Sequence, residues 1–404
     1  MRKNYLIHKN SIKNNHLNKK LIRRLSTPYK KIFEKILENL DKKEDTFHIL
    51  SEDFKYSFQE KDLIKYNKFK KIAIIGMGGS ILGSNAIYHL FKHKIKTGFV
   101  FFDNLDYEKI QNFKKNNRLR KVLFIIISKS GNTIETISNL SFLKILRKNA
   151  NNIIIISEKK NLLFSISKKY NLHFIEHKKF LGGRYSVLSE VGMIPASLMG
   201  LKTKKIKTNI RKYLFTKNKR FLKENALNLA SLLITQKYRN IIFLNYSPKL
   251  ERLLYWCQQL IAESLGKDGK GFFPVVSNCP TDHHSLLQLY LDGPKDKIFY
   301  IFSFKETLKD RISNKKFSSK IDYINNKNIE QVKTAQRLAM IKVLKKNKLP
   351  FREFEIKYLD ETVLGELFSY FILETAIVGK LAKINPFNQP SVEQVKKMTK
   401  KILS

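Results

Sequence analysis

A glutamate on a predicted helix and a histidine further along the chain are the side chains of this sequence best suited to moving a proton. The helix predicted to end at Gly266 places Gln259 and Glu263 one turn apart on the same face. His284 follows later in the sequence. A carboxylate and an imidazole together can take a proton from a carbon atom and return it. The pair predicts acid–base chemistry, although a solvated glutamate and a structural histidine would give the same pattern.

Two loops rich in glycine or hydroxyl groups predict a bound phosphate. The segments Gly76–Gly83 and Ser128–Thr136 each follow an apolar strand and open a helix, where backbone N–H groups and the helix dipole favour an anion. Ile81 breaks the dinucleotide-binding pattern, and the Gly-Lys-Ser/Thr end of a P-loop is absent. The alternatives are a tight turn without a ligand for the first loop and a helix cap for the second.

Arg184 is a candidate for stabilising an oxyanion. It lies among glycines and serines in the segment Gly182–Ser189, which predicts a turn. The alternative is a surface arginine that stabilises the loop. A metal site is a further alternative for the cluster of ligand-type residues around His284, but no complete set at suitable spacing is found, so no metal is predicted.

The composition points to a folded protein of a reducing compartment. The chain has 404 residues, enough for two cores, and only two cysteines, which favours the cytoplasm. Its net charge of +44 is spread evenly with abundant Lys, Asn and Ile, as an AT-rich genome would impose. No nucleic-acid-binding module is found, so no specific nucleic acid is expected. The best membrane candidate, residues 362–382, is interrupted by charges, so no membrane span is predicted.

The elements that must position these residues alternate between strand and helix. Such alternation predicts parallel sheets covered by helices, in two α/β halves of similar make-up. Pro28 is predicted near a helix start. The basic stretches 202–220 and 305–328 are predicted to be solvated loops. The predicted division is N-terminal helices at 1–66, a first α/β domain at 67–200, a second at 201–384 and a C-terminal arm at 385–404.

Five ordered blocks resemble the glucose-6-phosphate isomerase family. They are Ser128–Thr136, Gly182–Pro195, Gln259–Lys267, His284–Leu289 and Asn385–Lys396. The resemblance implies two domains of the sugar-isomerase (SIS) type, each a three-layer α/β/α sandwich with a mainly parallel sheet. It also implies a C-terminal helical arm, a sugar phosphate as substrate, and no metal or organic cofactor. A homodimer is implied too, with an active site between subunits.

The resemblance implies a role for each matched residue in converting glucose 6-phosphate to fructose 6-phosphate. Glu263 would move the proton between C2 and C1, Arg184 would stabilise the cis-enediolate, and His284 of the partner chain and Lys396 would open the sugar ring. The remaining matched residues would bind substrate: phosphate at Ser128, Lys129, Ser130 and Thr133, and sugar at Gly79, Ser80, Gln259 and Gln389.

Two positions depart from the family pattern. Ser391 stands where the family usually has glycine, which would matter if the backbone there needed a positive φ. Asn388 replaces a common aspartate. The rival hypotheses are a dual phosphoglucose/phosphomannose isomerase and a non-catalytic sugar-phosphate sensor that binds DNA.

Overall fold

The computed structural model describes residues 5–12, 15–313 and 319–404. The strands are β1 (Leu6–Asn10), β2 (Lys71–Gly76), β3 (Gly98–Phe102), β4 (Val122–Ile127), β5 (Ile153–Ser157), β6 (His173–Glu176), β7 (Asn240–Asn245), β8 (Phe273–Asn278), β9 (Lys297–Phe304) and β10 (Phe351–Ile356). The helices are α1 (Lys19–Asn39), α2 (Glu60–Leu63), α3 (Leu82–Phe91), α4 (Tyr107–Lys115), α5 (Ile134–Leu143), α6 (Leu162–Lys169), α7 (Glu190–Leu198), α8 (Thr203–Lys207), α9 (Lys212–Phe215), α10 (Lys219–Thr235), α11 (Glu251–Leu265), α12 (Leu287–Leu291), α13 (Ile329–Lys346), α14 (Glu361–Leu381) and α15 (Val392–Leu403).

The first sheet is parallel throughout, in the order β3-β2-β4-β5-β6. Its central strands are nearly continuous runs of buried apolar residues, as expected for strands covered on both faces. Alternate residues of β2 enter different cores, with Ile74 in one and Ile75 in the other. The predicted three-layer α/β arrangement is therefore confirmed for this half.

The second sheet has the order β1-β10-β9-β7-β8 and is parallel except for β1. The prediction of helices alone before residue 66 is wrong at its start, since Leu6–Asn10 forms a strand antiparallel to β10. Leu6 is buried, and the His8 ring packs on Phe354 and Tyr370. This short strand covers a sheet edge that would otherwise present unpaired backbone groups.

Two local predictions about helices are also wrong. Pro28 lies inside α1 rather than near its start, and the helix continues because Leu25, Tyr29 and Ile36 pack one face into the core. The stretch 202–220 contains α8, α9 and the start of α10. It is not wholly solvated, because its apolar residues are buried: Ile206, Ile210, Tyr213 and Leu214.

Helices α4 and α10 and strand β6 take part in the alternation of strand and helix that the sequence predicts. Within 305–328, residues 314–318 lie outside the described part of the chain. The predicted domain boundaries stay a prediction.

Helix α14 is long and apolar enough to cross a membrane, but it is a core helix. Of its most apolar 18-residue stretch, 94% is buried inside the protein. Its two buried glutamates are paired there: Glu374 binds Arg352 at 2.9 Å, and Glu366 binds Lys212 at 2.7 Å. Burial in the core therefore explains why α14 is so long and apolar.

The two halves meet where α3 packs against α11. Each of these helices follows the first parallel strand of its own half, β2 or β7, after a short 3₁₀ turn at Gly78–Ser80 or Pro248–Leu250. The contact brings the carboxyl edge of the first sheet next to the end of α11, which carries Glu263.

Candidate active site

Arg184 is the most completely bonded side chain of the site. It is 1% exposed, and its Nε donates to Ser264 Oγ at 2.7 Å. Nη1 donates to Gln389 Oε1 at 3.0 Å. Nη2 donates to the carbonyl oxygens of Pro386 at 2.6 Å and Asn388 at 3.1 Å. The alternative of a surface arginine is therefore wrong, because the guanidinium is buried between α11 and the segment before α15.

The Glu263 carboxylate is held from both sides. Oε1 lies 3.1 Å from Nη1 of Arg184, and Oε2 accepts a hydrogen bond from Gln259 Nε2 at 3.0 Å. The second contact is the one-turn relationship that the sequence predicts on this helix. The Glu263 side chain remains 23% exposed, so a small molecule can reach it. Fixed orientation and partial access are what a positioned base needs.

The first predicted loop packs directly against these residues. A Cβ added to Gly79 would lie 2.2 Å from the carbonyl carbon of Gly183, so only glycine permits this approach to the Arg184 loop. Gly78 has φ +52°, and a Cβ there would lie 2.7 Å from Gln259 Nε2. Ser80 is 8% exposed beside them. The tight turn therefore forms one wall of the site.

The second predicted loop is closed by its own hydroxyl groups. Ser128 Oγ and Thr133 Oγ1 share a hydrogen bond of 2.9 Å, and Ser128 Oγ also accepts from the Gly131 N–H at 3.2 Å. Thr133 precedes α5 but makes no side-chain cap, so helix capping does not explain it. Ser130 is exposed, and Lys129 Nζ lies 3.6 Å from the Glu158 carboxylate.

The two loops are neighbours because their strands are neighbours. β2 and β4 are parallel and in register to their ends, where Gly76 pairs with Ile127. The loops that follow both strands therefore leave the same edge of the sheet at adjacent points. Such a switch point between strands is where open α/β sheets bind ligands.

Gln389 joins the site, and the departures from the family pattern do not disturb it. Asn388 contacts Arg184 through its backbone carbonyl, so its side chain is not used in that bond. Ser391 has φ −66° and ψ −26°, an ordinary right-handed conformation. A positive φ is therefore not required at this position, and serine is accommodated without strain.

His284 and Lys396 lie apart from this cluster. His284 is exposed, directly after the 3₁₀ turn Thr281–His283. Lys396 is on α15, 55% exposed, and pairs with Glu393 at 2.7 Å. Among the described residues, no hydrogen bond or ion pair links either side chain to Arg184 or Glu263.

Three further residues hold the site together, although sequence reasoning did not assign them to it. Tyr185 Oη shares a hydrogen bond of 2.8 Å with Ser264 Oγ, and burial raises the pKa of Tyr185 to about 12. Lys267 Nζ donates to the Asn385 carbonyl at 2.6 Å. Partial burial, with the positive charge of Arg184, lowers the pKa of Lys267 to about 8. Ser264 and Lys267 lie in the same sequence block as Glu263, and this proximity could have identified them as site residues.

A metal centre finds no support in the described ranges. They contain no group of three or more His, Cys, Asp or Glu side chains placed to hold an ion. His283 instead shares a hydrogen bond of 2.8 Å with the Tyr246 hydroxyl.

The fold and the site together define an α/β protein with a buried arginine, a glutamate and a hydroxyl-bearing loop at the switch point of a parallel sheet, where such sheets bind ligands. A solved structure of a hypothetical protein from Thermus thermophilus shares the fold, with a TM-score of 0.82, 24% identity, and coverage of 95% of this chain and 97% of that one.

The family model described as phosphoglucose isomerase matches residues 54–273. A relative from Methanococcus maripaludis, named a probable glucose-6-phosphate isomerase, is 33% identical over 85% of this chain and 81% of its own length. The glucose-6-phosphate isomerase of Methanocaldococcus jannaschii is 31% identical over 85% of this chain and 88% of its own. The chain belongs to the phosphoglucose isomerase family.

Proposed function

We propose that this chain interconverts glucose 6-phosphate and fructose 6-phosphate through a cis-enediol intermediate, as its family and named relatives support. The observation that carries the site assignment is the Glu263 carboxylate held between Arg184 and Gln259. Conversion of an aldose to a ketose needs one base that removes the proton from C2 and returns it at C1. Glu263 is that base in this proposal.

Arg184 stabilises the oxyanion that forms when Glu263 takes the proton. A guanidinium fixed before the reaction begins needs little reorganisation as negative charge develops, which is the main source of electrostatic catalysis. Its bonds to Ser264 and to two backbone carbonyls supply that fixation.

The substrate phosphate binds the loop Ser128–Thr133, with contributions from Lys129 and Ser130. Hydroxyl groups and backbone N–H groups at the start of α5 suit three anionic oxygens. The sugar lies against Gly79, Ser80, Gln259 and Gln389. Gln259 Oε1 is buried without a hydrogen-bond partner among the described residues, so it is ready to accept a bond from a sugar hydroxyl.

Ring opening by His284 and Lys396 requires a second subunit and a repositioned arm. His284 is exposed, as a residue would be if it serves the site of a partner chain. Helix α15 has no buried residue, and Val395, Met398 and Ile402 expose an apolar stripe at helical spacing. A homodimer in which α15 is covered accounts for both features.

The cytoplasm is the compartment that we propose. Cys257 and Cys279 are both free and buried, as suits a reducing environment. The two buried thiols pack as small apolar side chains and form no disulfide.

A coupled assay of the purified protein tests the reaction. Fructose 6-phosphate should be converted to glucose 6-phosphate at the same rate with and without EDTA. Mannose 6-phosphate, assayed in parallel, distinguishes a dual-specificity enzyme. A protein that binds sugar phosphate without turnover, and binds DNA selectively, would instead be a sensor.

A further inference from the structure

The carbonyl groups at the start of the candidate phosphate loop are held by residues of the next strand and helix. Ser157, the last residue of β5, is buried, and its Oγ donates to the Ser128 carbonyl at 2.7 Å. The Lys129 carbonyl accepts from the Glu158 N–H at 3.2 Å. It also lies 3.4 Å from both Ser157 Oγ and Asn161 Nδ2. Both carbonyls therefore point toward β5 and the start of α6.

Asn161 holds the hydroxyl group that holds the loop. Its Nδ2 donates to Ser157 Oγ and to the Glu158 carbonyl, both at 2.8 Å. Its Oδ1 accepts from the Phe164 N–H at 3.0 Å and thereby caps α6. The two ends of this amide therefore serve different partners, since the oxygen caps the helix and the nitrogen orients Ser157.

The carbonyl directions determine where the N–H groups of the loop point. Its peptide bonds are trans, and in a trans peptide the C=O and the following N–H point in opposite directions, so the N–H groups of Lys129 and Ser130 point away from β5. On that side of β4 lies β2, whose loop Gly78–Ser80 forms one wall of the candidate active site. Within the described ranges, neither of these two N–H groups donates a hydrogen bond. Both donors are thus left for an anion that binds between the two loops.

We infer that Ser157 and Asn161 are positioning residues for phosphate binding, an inference that rests on the proposed role of the loop Ser128–Thr133. They hold two peptide planes of this loop in the orientation that presents N–H groups to the phosphate. A loop free to turn would present carbonyl oxygens for part of the time, and ordering it on binding would reduce the affinity. Neither side chain touches the substrate, since both act through the backbone of Ser128 and Lys129.

Helix capping alone would give Asn161 a structural role without influence on the phosphate. Asn161→Ser separates the two roles, because serine caps helices about as well as asparagine but has no amide nitrogen to orient Ser157. Ser157→Ala removes the hydroxyl that binds the Ser128 carbonyl directly. Ser167→Ala is the matched control, because Ser167 is a buried serine of α6 whose Oγ donates at 2.6 Å to the Phe164 carbonyl of its own helix.

Isothermal titration calorimetry with inorganic phosphate measures the affinity of the loop without any turnover. We expect Kd to rise roughly tenfold in Asn161→Ser and in Ser157→Ala, about the effect of one hydrogen bond to a charged group, and to stay within about twofold in Ser167→Ala. In steady-state kinetics with fructose 6-phosphate, KM should rise by a similar factor while kcat stays within about threefold, because the phosphate is bound alike in the ground state and the transition state.

Unchanged phosphate affinity in both variants, with the circular dichroism spectrum and melting temperature of wild type, would overturn the inference. Equal weakening in Ser167→Ala, or a wild-type protein that binds no phosphate, would also overturn it. Asn161 is only half-buried, so Asn161→Ser carries the test if Ser157→Ala does not fold. A protein that binds phosphate as expected but does not isomerise fructose 6-phosphate would refute the proposed reaction and leave the positioning role intact.

Discussion

Nη1 of Arg184 lies 3.1 Å from Oε1 of Glu263, and the rest of the guanidinium is bonded to Ser264 and to two backbone carbonyls of the segment before α15. These bonds hold the Arg184 side chain in position without the help of Glu263. Loss of the Glu263 charge should leave Arg184 in place, so a variant at Glu263 tests the base without dismantling the site.

Glu263→Gln keeps the shape of the side chain and removes the proton acceptor. We expect kcat to fall by about 10²- to 10⁴-fold, the usual contribution of a positioned base, while substrate still binds. Exchange of the C2 hydrogen of glucose 6-phosphate with heavy water should fall in parallel, since that exchange is the step of the base. A variant within about threefold of wild type, a loss below ~1 kcal/mol, would show that Glu263 is not the base.

Replacement of Ser128 and Thr133 by Ala should weaken phosphate binding. The two hydroxyl groups bond to each other at 2.9 Å, and neither caps α5. Because the phosphate is bound alike in the ground state and the transition state, KM should rise far more than kcat falls. Steady-state kinetics and a thermal melt check this. An effect confined to kcat would assign these residues to chemistry instead.

Two inactive variants should restore activity when they share a dimer. A Glu263→Gln chain mixed with a His284→Ala chain forms heterodimers with one intact site, if His284 serves the partner. We expect up to half of the wild-type activity per heterodimer, measured after subunit exchange and purification by two affinity tags. Verified heterodimers without activity would place both residues in the site of a single chain.

The pH dependence of stability should report on Lys267. Its pKa is lowered to about 8, first by burial and then by Arg184, so between pH 8 and the unfolded pKa the native state binds fewer protons than the unfolded state. The contribution of Lys267 to the free energy of unfolding therefore rises with pH across that window, because deprotonation of the native state removes the cost of burying the charge. Urea unfolding gives the free energy of unfolding of wild type and of Lys267→Gln. The wild-type value minus the variant value should increase from pH 8 to pH 10. A pH-independent difference would contradict the lowered pKa.

The parallel strands were predictable because a strand buried on both faces is a continuous run of apolar residues in the sequence. Val122–Ile127 and Ile153–Ile156 are continuous apolar runs, and both are strands. The pairing of Gln259 with Glu263 was predictable for a similar reason, since helical spacing alone brings them together.

The contacts of Arg184 with Pro386 and Asn388 were not predictable in this way. They join residues about two hundred positions apart through backbone carbonyls, which carry no side-chain signature. The strand at Leu6–Asn10 was missed because its short, polar sequence is stabilised by pairing with β10 and not by its own pattern.

The pairing of β1 with β10 determines when the second sheet can be completed during synthesis. Leu6 is translated long before its partner Ile356, because the rest of both sheets lies between them in the sequence. The strand Leu6–Asn10 therefore has no partner during translation until Phe351–Ile356 has been made, and the second sheet is completed only then.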